Sequence, residues 1–398
     1  MRGKAAMPPP PLVGLGREAD QGYGDGASPG RQSARASPSS APLQQGEGKS
    51  SSTTPRENGN AGRILVLKLG AFGNMVLSLS SFAAIRQFHS GATITLLTTA
   101  PYADWMAESP WFDRVLIDAR PAWWDLAGVL RLRHMLIDGR FDRVYDMQTS
   151  GRSGHYFRLF PRARRPEWSG IAAGCSHPDR RTDRNIVHDI DRQHAQLRQA
   201  GISAFPPPDL SWSHGDVARF HLPPRFALLV PGSSAHRPVK RWPAARYRAL
   251  ATWLSARGIM PVVIGTAGER PLADTICAGM AGESPVAGPV ARDLTGQTGF
   301  GDLADLARAA VCAVGNDTGP MHLIATAGCP SLVLFSGDSD PARCAPRAPS
   351  GAPPVRILRR DDLAELPAEE VTAALAAMIP EATPAALPAA SPNAETSA

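Results

Sequence analysis

Several signatures that would commit a chain to a special chemistry are missing here. The five cysteines (Cys175, Cys277, Cys312, Cys329 and Cys344) are odd in number, widely spaced and free of any C-x-x-C pair. Neither a zinc site nor a disulfide framework is therefore indicated. No apolar run approaches the roughly 18 residues that a membrane span requires. The opening MRGKAAMPPPPLVGLG lacks an apolar core of signal-peptide length followed by a cleavage pattern, so a cytoplasmic protein is expected. No G-x-G-x-x-G follows the first apolar strand, which disfavours a dinucleotide dehydrogenase, and no GxxxxGK(S/T) occurs, which argues against a P-loop hydrolase. Residues 1–61 hold only Leu12, Val13, Leu15 and Leu43 of the Leu/Ile/Val/Phe class. Such a segment cannot bury enough apolar surface to offset its ordering entropy and is expected to be a disordered tail.

What is present is globular: 398 residues, 43% hydrophobic, enough for two ordinary domains plus tails. The net charge of +6 suits an anionic substrate, an anionic membrane surface or nucleic acid, and does not choose among them. Order begins at RILVLKLG (63–70), the short apolar run of a covered parallel strand. In AFGNMVLSLSSFAAIRQFH, Met75, Leu79, Phe82 and Ile85 recur at helical spacing, Gly91 closes the helix, and ATITLLTT reads as the next strand. RVLIDAR, a helix through Leu126 to Met135, and RVYDMQ continue the alternation, which is that of a doubly wound sheet. The proline-rich FPPPDLSWSHGD (205–216) reads as a linker. A second set follows in RFALLVPGSS, a helix from Pro243 to Gly258, and IMPVVIG. The expected division is a tail at 1–61, α/β domains at 62–205 and 206–380, and a disordered tail at 381–398.

The stretch AVCAVGNDTGPMH organises the second half. Ala310 to Val314 read as a buried strand ended by Gly315, and Asn316, Asp317 and Thr318 offer side-chain caps to the helix MHLIATA. A strand entering a helix through small residues presents unpaired N–H groups and the positive end of a helix dipole, an anion site. Two more strand–glycine–helix junctions, KLGAFGN (68–74) and PGSSAHRPVKRWP (231–243), would meet it across one cleft, because ligands bind beyond the carboxyl ends of such strands. Ser233 and Ser234 can donate to phosphate oxygens, and Lys240 or Arg241 can supply charge. Glu269 in GTAGER suits a ribose hydroxyl or, equally, the start of its own helix. Residues 151–165 carry five arginines and no acidic residue, a solvated basic face or a surface for an anionic substrate; no nucleic-acid motif accompanies them. Of two D-x-D pairs, Asp189 and Asp191 are expected to face solvent and Asp338 and Asp340 to form a turn. His188 and His194 are six apart and do not share a helix face as paired ligands would. No metal site is expected.

These stretches, with VVIGTAGE, LTGQTGFGDLADLARAA and VGNDTGPMHLIATAGCPSLVLFSGDSDP, resemble glycosyltransferase family 9, the ADP-heptose:lipopolysaccharide heptosyltransferases. The resemblance runs from about residue 63 to 347. It implies a GT-B fold, two Rossmann-like doubly wound domains facing a central cleft, and an inverting, metal-independent transferase with a nucleotide-sugar as co-substrate and no other cofactor. On the donor side it puts Ser233, Ser234 and Lys240 at the diphosphate, Glu269 at the ribose or base, Asp317 at the sugar, and Thr318, Gly319 and His322 at the phosphate-binding helix start. On the acceptor side it puts the loop from Gly70 to Gly73, with Arg152 and Arg158 suiting an anionic lipopolysaccharide-core glycan. Localisation is then expected to be cytoplasmic, with a peripheral inner-membrane contact among the expected partners and nucleic acid not among them. One departure matters. Asn74 stands where the family pattern K-x-x-x-x-G-D has its proposed aspartate base, and an amide cannot accept a proton at neutral pH. Three accounts follow: another carboxylate such as Asp146 or Asp104 takes the proton, the acceptor supplies its own base, or the chain is a catalytically silent relative that binds a nucleotide-sugar or glycan.

Overall fold

The computed structural model of the protein describes residues 62–233, 238–279 and 288–379. Ser234 and the tails expected at 1–61 and 381–398 lie outside them. The first half builds six parallel strands, β1 (Arg63–Leu67), β2 (Thr93–Thr98), β3 (Arg114–Ile117), β4 (Arg143–Asp146), β5 (Glu167–Gly170) and β6 (His177–Pro178), in the order β3-β2-β1-β4-β5-β6. Parallel neighbours require crossovers. The helices are α1 (Phe72–Val76), α2 (Leu79–Phe88), α3 (Ala100–Ala107), α4 (Leu126–Asp138) and α5 (Gly151–Tyr156), followed by α6 (Asp189–Gln199).

The second half repeats the plan with β7 (Phe226–Val230), β8 (Met260–Val263), β9 (Arg292–Asp293), β10 (Cys312–Asn316), β11 (Ser331–Phe335) and β12 (Arg356–Arg359). Their order is β12-β11-β10-β7-β8-β9. Its helices are α7 (Ala244–Ser255), α8 (Arg270–Cys277), α9 (Phe300–Ala309), α10 (Gly319–Thr326), α11 (Pro341–Cys344) and α12 (Ala368–Ala376). Both sheets thus carry the doubly wound 3-2-1-4-5-6 order.

The apolar runs are continuous because both faces of each sheet are covered. Along β1, Ile64 and Val66 enter one apolar layer while Leu65 and Leu67 enter another. Along β7, Leu228 and Val230 join the same layer as Ile64 and Val66, while Ala227 and Leu229 turn to a third. The two sheets therefore share one core layer. Aromatic rings close it: Phe300 at the start of α9 lies 4.5 Å from Phe72, 5.0 Å from Trp105 and 6.1 Å from Tyr102.

Three expectations change. Residues 72–88 form two helices, because the Ser78 hydroxyl takes the Asn74 carbonyl at 2.7 Å and the Ser78 N–H turns to Met75 O instead. Gly315 does not end its strand; it sits inside β10, where a Cβ would come within 2.6 Å of Met321 Sδ and 2.8 Å of Val230 Cβ. The stretch 205–216 is no loose tether, since Trp212 packs on Trp105 and Trp111, and Trp105 Nε1 donates to Ser213 Oγ at 2.9 Å. Among the described residues no helix is long and apolar enough to cross a membrane.

Candidate active site

Asn316, the last residue of β10, is fully buried and does not cap α10. Its Oδ1 accepts the Trp242 N–H at 3.1 Å and the Tyr247 hydroxyl at 3.2 Å. Its Nδ2 donates to Pro231 O at 2.8 Å and to Gly232 O at 3.4 Å. One amide thereby locks the loop after β7, the segment carrying Lys240 and the end of β10 together. Thr318 is the residue before α10, and its side chain makes no capping bond.

Beyond that clamp, Lys240 Nζ lies 3.2 Å from Asp317 Oδ2. The Ser233 hydroxyl is buried without a hydrogen-bond partner among the described residues, and so is His322 Nδ1. Burial drives the His322 pKa down to about 4, so its imidazole is neutral at neutral pH. Glu269 is held by its own helix start, its Oε2 accepting the Thr266 N–H at 2.7 Å and hydroxyl at 3.1 Å. Gly232 and Gly265 leave it room, for a Cβ on either would run into its carboxylate.

The first half meets this site at the start of α10. A Cβ on Gly73 would stand 2.8 Å from His322 Cδ2, and one on Gly319 would stand 2.7 Å from Phe72 Cδ1. Glycine at both positions lets α1 and α10 cross at backbone distance, which brings Asn74 to the same crossing. Asn74 is half-buried, and its carbonyl accepts the Ser78 hydroxyl. Gly70, at φ 133°, adopts a backbone that a side chain would oppose.

The two carboxylates weighed as substitute bases sit in opposite surroundings. Asp104 is exposed on α3. Asp146 is wholly buried, its Oδ1 taken by the N–H groups of Gln148 and Thr149, and burial lifts its pKa to about 6.

The start of α6 supplies what the sequence did not reveal. Asp191 faces solvent as expected, although it also pairs across to the second half of the chain, while Asp189 is half-buried. Asp191 takes Arg347 through two bonds of 3.1 and 2.7 Å. His188 caps α6 by accepting the Ile190 N–H at 3.2 Å and donates through Nε2 to Ala345 O at 2.9 Å. Asp189 Oδ1 accepts both Nε and Nη2 of Arg192, whose Nη1 reaches Thr149 Oγ1 at 2.8 Å. Beside burial, the charges of Asp317 and Asp189 act to raise the His322 pKa and those of His188 and Lys240 to lower it. No spacing marks Asp189: a residue 128 positions before Asp317 acts there only through the way the sheets pack. Asp340, by contrast, caps α11 as its turn suggested. Arg152 lies over the Trp123 ring at 5.1 Å, and Arg158 is exposed after α5.

Two six-stranded doubly wound sheets with their strand ends turned to a common crossing define a GT-B-type α/β protein. Solved structures of that architecture match it. The Escherichia coli ADP-heptose lipopolysaccharide heptosyltransferase II superposes with a TM-score of 0.65 at 22% identity, covering 79% of this chain and 98% of the other. A family 9 glycosyltransferase from Veillonella parvula gives 0.63 at 19% identity, covering 80% and 90%. The sequence profile of glycosyltransferase family 9 (heptosyltransferase) matches residues 129–356, more than half of the chain, and the chain belongs to that family of transferases. Lipopolysaccharide heptosyltransferase 2 of Salmonella typhimurium is 24% identical over 298 residues, 70% of this chain and 84% of the relative. Its E. coli counterpart is 25% identical over the same span.

Proposed function

We propose that the protein transfers heptose from ADP-heptose to a lipopolysaccharide-core or related anionic glycan acceptor, with inversion and without a metal. The observation that carries this reading is the meeting of Lys240 and Asp317 at the start of α10, which also carries His322, with Ser233 on the neighbouring loop that Asn316 holds. There a helix N-terminus and an ammonium can take a diphosphate that also satisfies the unpartnered buried hydroxyl. Ser233, Ser234 and Lys240 hold the diphosphate, Glu269 meets the ribose, and Asp317 meets the sugar. Gly70, Gly73 and Asn74 shape the acceptor side, and Arg152 and Arg158 draw an anionic acceptor. The acceptor oxygen bonds to the anomeric carbon as the bond to the β-phosphate oxygen breaks, and ADP leaves with that electron pair. Asp189 takes the hydroxyl proton, since its Oδ2 is unengaged among the described residues and Asn74 cannot.

Turnover of ADP-heptose on a truncated core acceptor in the presence of a chelator tests the reading. Lys240→Ala should weaken ADP binding by calorimetry roughly tenfold to a hundredfold, the loss of a charge-assisted bond. Unchanged affinity in a folded variant would sink the diphosphate assignment. Asp189→Asn should lower kcat by about 10² to 10⁴ with ADP affinity retained. The second reading, a silent relative, is favoured by Asn74 alone; an inactive wild type that gains turnover on Asn74→Asp would establish it.

A further inference from the structure

The surface where the chain passes from β3 into α4 is apolar and turned outward. Trp124 is 85% exposed and Leu126 72%, and Ile117, Trp123 and Leu130 are exposed as well. Half of the exposed large apolar side chains among the described residues fall within 117–130, which makes them a patch rather than scatter. The loop that presents them is fastened. Buried Asp118 accepts the Tyr156 hydroxyl at 2.5 Å and the Arg120 N–H at 2.7 Å. Arg152 donates to Pro121 O at 3.1 Å while lying over Trp123. Asp125 then caps α4 through the Gly128 N–H at 2.9 Å. Tryptophans held outward on so many bonds are displayed by construction, not by fraying.

A basic arc adjoins this ridge. Residues 151–165 carry five arginines without an acid, and Arg158, Arg162, Arg164 and Arg165 are exposed. Arg133 on α4 donates to Leu159 O at 3.2 Å, and Leu132 and Leu136 share an apolar cluster with Phe157 and Phe160. The ridge and the arc are therefore neighbours on one face.

We propose that this face docks on an anionic lipid bilayer, with Trp124 and Leu126 inserted at headgroup level and the arginines against the lipid phosphates. Amphipathic rings suit the water–lipid boundary, and each nearby arginine adds attraction to an anionic leaflet. A second copy of the chain fits worse, because a two-fold contact would set arginine arc against arginine arc. The loops concerned leave the carboxyl ends of β3 and β4, the sheet edge that also carries Asn74. Docking would bring a lipid-borne acceptor to the crossing; on that point alone the inference rests on the proposed function.

The test is co-sedimentation of the full chain with vesicles of phosphatidylglycerol and phosphatidylethanolamine, against vesicles of phosphatidylcholine alone. The wild type should bind the anionic vesicles and release with added salt. The double variant Trp124→Ser/Leu126→Ser, and separately Arg162→Glu/Arg164→Glu, should each bind roughly tenfold more weakly or worse, with unchanged melting temperature and unchanged turnover on a soluble acceptor. Variants that bind as the wild type does, or a wild type indifferent to lipid charge, would overturn the proposal. So would a dimer, or capture of single-stranded nucleic acid, that depends on Trp124 while vesicles go unbound. Vesicle binding without any turnover would instead sink the proposed function and leave the docking face standing.

Discussion

Asn316 offers the sharpest quantitative test of how the site is held. In Asn316→Ala, the Trp242 N–H and the Pro231 carbonyl lose their partners inside a fully buried site, while the Tyr247 hydroxyl keeps Val230 O at 3.3 Å. Each orphaned buried group costs about 1–3 kcal/mol, so the variant should lose about 2–6 kcal/mol of stability. Asn316→Asp separates the two halves of the clamp. The Trp242 and Tyr247 donors remain satisfied, but an oxygen now faces Pro231 O across what was a 2.8 Å bond. The new carboxyl is buried against an acceptor, so its folded pKa rises above the unfolded value of about 3.9. The resulting penalty grows as pH climbs past the unfolded value and is complete above the folded one. Relative to wild type at the same pH, Asn316→Asp should therefore be more destabilised at pH 7.5 than at pH 5. Urea denaturation with ADP calorimetry reads both effects, since a released Lys240 segment should also weaken nucleotide binding. If Asn316→Ala lost less than about 1 kcal/mol, or Asn316→Asp showed no pH dependence relative to wild type, the clamp would not be what organises these loops.

Two further outcomes follow. His89, His194 and His322 are each held by burial from 6.5 down to about 4. The unfolded chain takes up protons between those values that the folded chain refuses, so stability should fall as pH drops from 6.5 toward 4. Asp146, raised from 3.8 to about 6, opposes this as one group against three; a urea midpoint that rose on acidification would contradict the assignment. Phe300→Ala removes the ring packed against Phe72, Tyr102 and Trp105 and should cost about 2–4 kcal/mol. Limited proteolysis should then show the two halves unfolding separately.

The fold was legible because parallel strands covered on both faces leave continuous apolar runs, and glycines stand near several of the strand-to-helix junctions. The junctions at 68–74, 231–243 and 315–322 were read for the same reason, and Lys240, Asp317 and His322 do come together. What sequence could not show was side-chain direction. Asn316 looked like a cap because Asn-Asp-Thr before Pro is helix-start chemistry, yet its strand continues two residues further, through Asn316 itself, and turns the amide inward. Glu269 had two readings at equal spacing, and only the bonds to Thr266 show which partners it has chosen. Asp189 looked solvated because the α6 sequence is polar all round, and polarity does not say whether a helix faces water or another polar surface.

Beside the glycine crossing of α1 and α10, the halves meet through contacts of unequal energy. Phe300 sits in a ring cluster continuous with the shared core layer, where loss of packing is expensive. The Arg347–Asp191 pair is about half exposed on both partners, 44% and 56%, and pairs of that kind are worth about 0–1 kcal/mol. The His188 bond to Ala345 adds one neutral hydrogen bond of about the same size. The α6 contacts are thus the weaker of the two. Asp189 rides on α6, which Gln196 ties to Asp146 O at 3.0 Å and to Ser169 O at 3.3 Å in the first half, while Lys240 and Asp317 stay with the Asn316 clamp.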